Sequence, residues 1–452
     1  MVSTGSLVWT SIRPLLRTFL NVGAGFALTK ANVFPPQAAR GCAQIALNIA
    51  LPCLVFSRIV PAFTPQNINA LAPLTVVGLL YGIAGVVMAW AIRQAFWVPH
   101  RFRYGILAAG GWANYGDIPT AIAMGMTASA PFNGVDDENS AIAYISAFLL
   151  LFYITLFPLG GFLIIAKDFE GSDVESEDLR ERMHLRRQRM VANATRSLRR
   201  LSHLSGHSEN TCDTEAGADL KTKDTISDET AKGDASVDQR VFEVMQPPPP
   251  IAPESRRTVC SRLRHFSAEL IKPAPIVIVL SIVIALVNPL KALFVLPSAG
   301  FQPRFRPTAP DGQPPLAFVL DTATFVGAAG VPLGLICLGS ALALLRVRSG
   351  EPFPRGAIAA LTLAKMVVTP VLGVAITRFF VRVGFVNRDD KVLQFLCILF
   401  SGVPSATTQV YLTQIYSPGG SVEHLSAFLI PQYVLLPFTM TGLVAYTLHY
   451  LF

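Results

Sequence analysis

Long apolar stretches separated by short polar segments run along most of the chain, in two groups of five. About 20 apolar residues are needed for a helix to cross the roughly 30 Å of hydrocarbon in a bilayer, so each stretch predicts a membrane-spanning helix. The first five predicted spans lie near residues 7–29, 39–60, 71–93, 104–128 and 141–166. The second five lie near residues 273–296, 316–345, 356–380, 391–416 and 425–451. The pattern therefore predicts an all-α polytopic membrane protein with ten transmembrane helices.

The segment between the two groups has a different character. Residues 167–272 are rich in Ser, Asp, Glu, Arg and Thr, lack a sustained apolar period and contain four consecutive prolines. This composition predicts a disordered hydrophilic loop between a first membrane repeat, residues 1–166, and a second, residues 273–452. Basic residues at both ends of the loop favour a cytosolic location. Within it, Ser202 follows a basic stretch and is a candidate site for a kinase.

The two groups resemble copies of one unit when their prolines are aligned. Three prolines of the first group have partners in the second: Pro52 with Pro332, Pro119 with Pro404, and Pro158 with Pro437. Around the middle pair, residues 118–121 read IPTA and residues 403–406 read VPSA. Five spans are an odd number, so consecutive copies must enter the membrane from opposite sides. The chain is therefore predicted to form a 5+5 inverted repeat.

Proline and glycine interrupt spans four and nine at corresponding places. Unwound backbone is tolerated inside a bilayer only where protein buries it or where it lines a polar cavity. Helices four and nine are therefore expected to be broken and to cross near the midplane, with helix N-termini that attract anions. The alternative is that these prolines only kink packed helices. The candidate substrate-binding residues are Asn114, Gly116, Pro119, Gly402, Val403, Pro404 and Gln409. Thr408 and Gln409 follow the second break at helical spacing and either line the same cavity or pack between helices.

Several ionisable residues fall within predicted spans, where a charge is expensive and often functional. Asp117 in the first break is the candidate for coupling to a proton or another cation, with capping of the second half-helix as the alternative. Asp321 and Lys365 lie near membrane faces, where they can snorkel or cap. Arg13 and Arg17 share one helical face, which fits a lipid headgroup best, with an oligomer contact or an anion entrance as alternatives.

Composition supports the membrane assignment and excludes other classes. The chain is 52% hydrophobic and 15% charged. Soluble domains carry about 25% charged residues. The net charge of +8 is explained by orientation in the membrane, so no nucleic-acid partner is expected. The six cysteines form no metal-binding or disulfide pattern, and no cofactor is predicted. Neither an enzyme motif nor a phosphate-binding loop is present, so we expect neither an enzyme nor an ATP-driven pump.

The chain resembles the auxin efflux carrier family of membrane transport proteins, which includes PIN-type carriers, PIN-like proteins and bacterial malonate or malate permeases. The motifs that carry the resemblance lie in spans two, four, seven, eight and nine: LNIALPCLVF at 47–56, the break at 114–119, VPLGLICLGS at 331–340, LAKMVVTP at 363–370 and GVP at 402–404. The long loop resembles that of eukaryotic members, the fungal branch in particular. Asp117 in the first break, and the lack of an Asn before the second, depart from the PIN pattern.

The resemblance implies two five-helix inverted repeats, with a scaffold domain from spans one, two, six and seven and a transport domain that carries the crossed helices. It implies elevator-type alternating access and a carboxylate substrate held near Asn114, Pro119 and Pro404. The expected function is thus secondary transport of small organic anions, auxin-like or dicarboxylate. A transporter-like sensor or scaffold that signals through the loop is the alternative. The expected setting is the endoplasmic reticulum or plasma membrane, with a homodimer as an open option.

Overall fold

The computed structural model describes residues 4–62, 68–127, 131–170, 273–297, 301–344, 353–417 and 422–452, with isolated positions between 181 and 196. These residues are almost entirely helical and contain no strand longer than an isolated bridge. Most of the predicted loop, including Ser202, lies outside the described residues. Its predicted disorder, the kinase site and the domain boundaries stay predictions.

The first group of helices is α1 (Thr4–Lys30), α2 (Pro36–Ile45), α3 (Leu51–Ala62), α4 (Ile68–Ala95), α5 (Gly105–Gly111), α6 (Asp117–Thr127), α7 (Val135–Leu156) and α8 (Gly161–Ala166). The second is α9 (Pro273–Leu286), α10 (Asn288–Lys291), α11 (Ala317–Ala328), α12 (Gly330–Leu344), α13 (Arg355–Leu363), α14 (Thr369–Arg382), α15 (Lys391–Ser401), α16 (Thr408–Tyr416) and α17 (Glu423–Leu451). A π-helical turn at Ala46–Ala50 joins α2 to α3, and another at Ala364–Val368 joins α13 to α14.

Six helical segments in the described part of the chain are long and apolar enough to cross a membrane. They are Pro36–Pro61, Ala70–Ala95, Asp136–Leu156, Ala317–Leu344, Arg355–Arg382 and Glu423–Leu451, and they coincide with predicted spans two, three, five, seven, eight and ten. This confirms an integral membrane protein. The other four predicted spans are one, four, six and nine. Spans four and nine are each divided into two short helices, span six contains α9 with 14 residues, and span one contains α1 with 27 residues. The count of ten and the inverted repeat stay predictions.

The two divided spans cross at their breaks. Segment 112–116 separates α5 from α6, and segment 402–407 separates α15 from α16. The segments run antiparallel. The backbone N–H of Asn114 donates to the Pro404 carbonyl at 2.7 Å, and the backbone N–H of Ala406 donates to the Trp112 carbonyl at 3.0 Å. Pro119 is the third residue of α6, within the first turn, where its missing N–H breaks no helical bond. Each break thus satisfies one backbone N–H group and one carbonyl group of the other, which bare lipid cannot do.

Helices α4 and α5 are in close contact beside the crossing point. A Cβ atom built on Gly85 would overlap the carbonyl oxygen of Gly110, and one built on Gly110 would overlap that of Gly85. Small residues permit this approach, as is common between membrane helices. The contact fixes the end of α5 from which the first break departs.

We expect Gly85→Ala to destabilise the protein by about 1 to 3 kcal/mol, because the added methyl group forces α4 and α5 apart. The measurement is the thermal unfolding temperature in detergent. Gly442→Ala is the matched control, since a Cβ there meets no atom within 4 Å. In that control alanine also favours helix by up to about 1 kcal/mol. Equal unfolding temperatures for the two variants would contradict the proposed close packing.

Candidate substrate site

A cavity of about 270 Å³ lies against the crossing segments. Its polar lining comes from four places: the first break, the start of α16, and the arginines Arg17 on α1 and Arg58 on α3. An aromatic wall completes it, formed by Tyr115, Phe152, Tyr153 and Tyr411. The cavity combines polar groups at the breaks with apolar walls, as small-molecule sites generally do.

Asn114 is a buried polar side chain that lines the cavity, at 8% exposure. Its Oδ1 accepts from the Gly116 amide at 3.2 Å, and its Nδ2 donates to the Tyr433 hydroxyl at 3.1 Å. The Tyr433 hydroxyl in turn donates to the Ser405 carbonyl at 3.2 Å. An amide nitrogen carries two hydrogens, so one donor of Asn114 remains for a ligand. The side chain is held in place by both crossing segments.

The N-termini of two half-helices also border the cavity. Gly116 and Thr120 line the cavity at the start of α6, and Thr407 and Thr408 line it at the start of α16. Backbone N–H groups of a first helical turn carry partial positive charge and bind anions. No Asp or Glu is among the described residues that line the cavity. The local field therefore favours a negatively charged ligand.

Arg17 and Arg58 strengthen that field. Arg58 lies on the face of α3 that also presents Leu51 and Leu54, at the three- and four-residue spacing of one helical face. Sequence reasoning did not select Arg58, although an arginine in a predicted span was a signal for it. For Arg17 the sequence favoured a lipid headgroup, with an oligomer contact or an anion entrance as alternatives. The structure places its exposed side chain in the cavity lining, and the choice between these roles stays a prediction.

The carbonyl end of α5 lies at the crossing point and is covered by side chains of other helices. The Ser405 hydroxyl donates to the Ala109 carbonyl at 2.5 Å, and the Lys365 ammonium donates to the Gly110 carbonyl at 2.9 Å. Gln409 donates through Nε2 to the Ala108 carbonyl at 2.9 Å and to the Trp112 carbonyl at 3.1 Å. These bonds satisfy carbonyl groups that a helix C-terminus leaves open.

The predicted site residues therefore fall into three groups. Asn114 and Gly116 line the cavity. Gln409 is 1% exposed and faces the end of α5 rather than the cavity, while its neighbour Thr408 lines the cavity. The other four do not line the cavity: Pro119 lies in α6, and Gly402, Val403 and Pro404 form the second break. Their role in binding stays a prediction.

The remaining predicted ionic groups are placed as follows. The backbone of Asp117 begins α6, and its side chain lies outside the described part. Lys365 was placed near a membrane face by the sequence, but it is 4% exposed and donates to the carbonyl end of α5 at the crossing point. Asp321 is exposed. Where side chains are described, no group of three His, Cys, Asp or Glu residues is arranged to hold a metal ion.

A carboxylate caps the other end of α5. Asp168, at 4% exposure, accepts from the Tyr104 amide at 2.8 Å and the Gly105 amide at 2.5 Å. Burial raises the pKa of this carboxyl to about 6, although the two amides, Arg93 and Arg101 act in the opposite direction. It lies just after the fifth predicted span, outside the membrane-spanning segments.

A raised carboxyl pKa means that the folded state binds the proton more tightly than the unfolded state, whose pKa is near 3.9. The stability from Asp168 is therefore greatest below about pH 4 and falls as pH rises through about 6. We expect the unfolding temperature of the native protein to exceed that of Asp168→Asn by more at pH 5 than at pH 7. An equal difference at both pH values would show that Asp168 does not titrate in this range.

Comparison with known proteins gives matches along the whole chain. A family model described as "Membrane transport protein" matches residues 10–444. The chain is 24% identical to Protein ECM3 of Saccharomyces cerevisiae, with 98% of both chains covered. It is 23% identical to the protein named Uncharacterized transporter YNL095C of the same yeast, with 99% of both covered. It is also 23% identical to Protein PIN-LIKES 6 of Arabidopsis thaliana, over 99% of this chain and 95% of that one.

Proposed function

The chain belongs to the membrane transport protein family of auxin efflux carrier-like and PIN-like proteins, and from this premise we propose that it is a secondary transporter of small organic carboxylate anions. One observation carries the proposal. The cavity at the crossed breaks is bordered by two helix N-termini, two arginines and Asn114, and no acidic residue is among its described lining. Such a site binds an anion through charge and N–H donors together.

The walls of the cavity come from two sets of helices that the family resemblance assigns to different domains. Arg17 and Arg58 belong to spans one and two, the expected scaffold, while Asn114 and Thr120 belong to the broken span of the expected transport domain. In elevator-type access, the crossed breaks would move along the scaffold and carry the anion with them. The position of the cavity between the two sets supports this mechanism as our proposal.

The same geometry bears on the coupling ion. Transporters with broken helices often bind sodium at carbonyl ends of half-helices. At the end of α5 those carbonyls already accept from Lys365, Ser405 and Gln409. We therefore propose that no sodium ion binds there and that a proton, with Asp117 as the candidate group, drives any coupled transport.

The test is uptake of labelled indole-3-acetate and succinate into proteoliposomes, each with and without a pH gradient. Saturable uptake of either anion would support the transporter, and its dependence on the gradient would support proton coupling. Absence of uptake of both anions, with inserted and folded protein verified, would contradict the proposal. Binding of either anion without flux would instead favour the transporter-like sensor, which the family membership and a relative named as a transporter do not favour.

A further inference from the structure

A second cavity, an apolar groove, lies between α4 and α7 beside the crossing point. It has a volume of about 290 Å³ and an almost entirely apolar lining. The lining comes from residues 78–87 of α4, residues 111–115 at the end of α5 and in the first break, and residues 151–155 of α7. We propose that this groove binds one acyl chain of a membrane lipid. The proposal does not depend on which substrate the protein carries, or on whether it carries one.

The depth of the groove determines what can reach it. Its α4 residues extend from Gly78 to Val87, and these two residues are equally far from the two ends of the candidate span Ala70–Ala95. Each lies about 12 Å from the nearer end at a rise of about 1.5 Å per residue. Lipid headgroups lie outside a hydrocarbon core about 30 Å thick. The groove is therefore surrounded by acyl chains and is out of reach of the headgroups.

Two glycines of α4 keep the groove open. Gly78 and Gly82 are one helical turn apart and both line the groove. A Cβ atom built on Gly82 would have the Gly111 carbonyl oxygen, at 3.5 Å, as its one neighbour within 4 Å among the described residues. Their outward neighbour Ile83 also lines the groove and is 59% exposed. The groove thus has a floor without side chains and an apolar rim that faces the bilayer.

The polar atoms in the groove wall are bonded within the protein. The Trp112 Nε1 donates to the Thr155 hydroxyl at 3.0 Å, and that hydroxyl donates to the Leu151 carbonyl at 2.8 Å. Neither side chain has a donor left for a polar ligand. An empty groove would lose the dispersion contacts of its walls, and the hydrocarbon core holds no water to fill it. An acyl chain is the component of this medium that fits.

The groove shares two aromatic side chains with the candidate substrate cavity. Tyr115 and Phe152 line both, and each is 5% exposed. Their ring centroids lie 6.3 Å apart in an edge-to-face arrangement. A chain in the groove would therefore pack against the same rings that form part of the wall of the cavity. This contact gives a bound lipid a direct route to affect the site.

The test is photolabelling of the native protein in mixed micelles by a phosphatidylcholine that carries a diazirine near the end of one acyl chain. Labelled peptides are identified by mass spectrometry as the mole fraction of the probe is raised. We expect labelling of residues 78–87 and 151–155 to saturate. Val371, 65% exposed on α14 and outside the groove lining, reports bulk lipid and should be labelled in proportion to the probe. The same lipid with its diazirine in the headgroup should not label the groove.

A variant pair tests whether the shape of the groove is needed. Gly82→Leu places a side chain in the groove, so we expect the saturable labelling to fall at least five-fold. Gly442→Leu is the matched control, because Gly442 is exposed on α17 and a Cβ there meets no atom within 4 Å. It should leave the labelling of the groove unchanged. If Gly82→Leu does not fold, the saturation measured on the native protein still decides the question.

Three outcomes would overturn the proposal. Labelling of the groove that rises in proportion to the probe, as at Val371, would show contact with bulk lipid only. Saturable labelling that cholesterol displaces and unlabelled phosphatidylcholine does not would make the groove a sterol site. Absence of labelling, together with cross-links between two copies of the chain at Ile83, would show that a second copy covers the groove. None of these results depends on transport, so the proposed function is tested separately.

Discussion

Replacement of Asn114 by alanine is expected to reduce carboxylate uptake by about ten-fold to a hundred-fold. A hydrogen bond to a charged group contributes about 1.5 to 3 kcal/mol, and the free donor of the Asn114 amide points to this interaction. The side chain of Asn114 also hydrogen-bonds to the Gly116 amide and to the Tyr433 hydroxyl, so the variant removes a link between the first break and α17. The measurement is the initial rate of uptake into proteoliposomes, normalised to the amount of inserted protein.

Two companion variants make the Asn114 result specific. Asn48→Ala removes an exposed amide that bonds only its own helix, at the Gln44 carbonyl, and should leave uptake unchanged. Tyr433→Phe keeps the aromatic ring but removes the hydroxyl that holds Asn114, so we expect an intermediate loss through misplacement of the amide. Full uptake by Asn114→Ala would remove this residue from the site.

Replacement of Lys365 by methionine is expected to reduce the rate of carboxylate uptake at least ten-fold, while the protein still folds. The ammonium offsets the partial negative charge of the α5 carbonyl end, which lies at the crossing point beside the cavity. Methionine fills a similar volume and removes the cost of a buried charge. It leaves the Gly110 carbonyl without the donor from Lys365, which destabilises the folded protein by about 1 to 3 kcal/mol. Uptake and unfolding temperature are measured on the same preparation.

The control for Lys365→Met is Lys30→Met, which removes an exposed ammonium at the end of α1. It should change neither uptake nor stability. If Lys365→Met lowers the unfolding temperature sharply and Lys365→Arg recovers both uptake and unfolding temperature, the main role of Lys365 is to stabilise the fold. If Lys365→Met transports normally, the charge at the end of α5 has no part in anion binding.

The sequence predicts this fold well where long apolar runs are uninterrupted. Six of the predicted spans coincide with continuous helices, since length and hydropathy alone determine a transmembrane helix. The presence of two breaks was also predictable from nearby proline and glycine residues. In the structure Pro404 lies inside the second break, whereas Pro119 lies in the first turn of the helix that follows the first break. The helix boundaries within the breaks were not predictable, since the end of α5 at Gly111 combines the low helix propensity of glycine with close packing against α4 that the sequence does not reveal.

The site was predictable only in part. Asn114 was selected because its side chain offers both donors and an acceptor beside a break, and it lines the cavity. Gln409 follows the second break by helical spacing, but that spacing could not tell which way its amide turns, and the side chain faces the end of α5. Arg58 lies in a predicted span, which was a local signal, but its place in the cavity depends on residues from helices distant in sequence, and sequence reasoning did not select it.

The paired breaks have a mechanical consequence. Because the backbone N–H groups of Asn114 and Ala406 both donate across the crossing segments, the four half-helices are joined where the two breaks cross. Pulling one break open would leave backbone groups of the other without partners in a medium that cannot replace them. We therefore expect the backbone N–H groups of Asn114 and Ala406 to be among the slowest in the chain to exchange with deuterium. Under the proposed elevator mechanism, the two breaks would move together without separating.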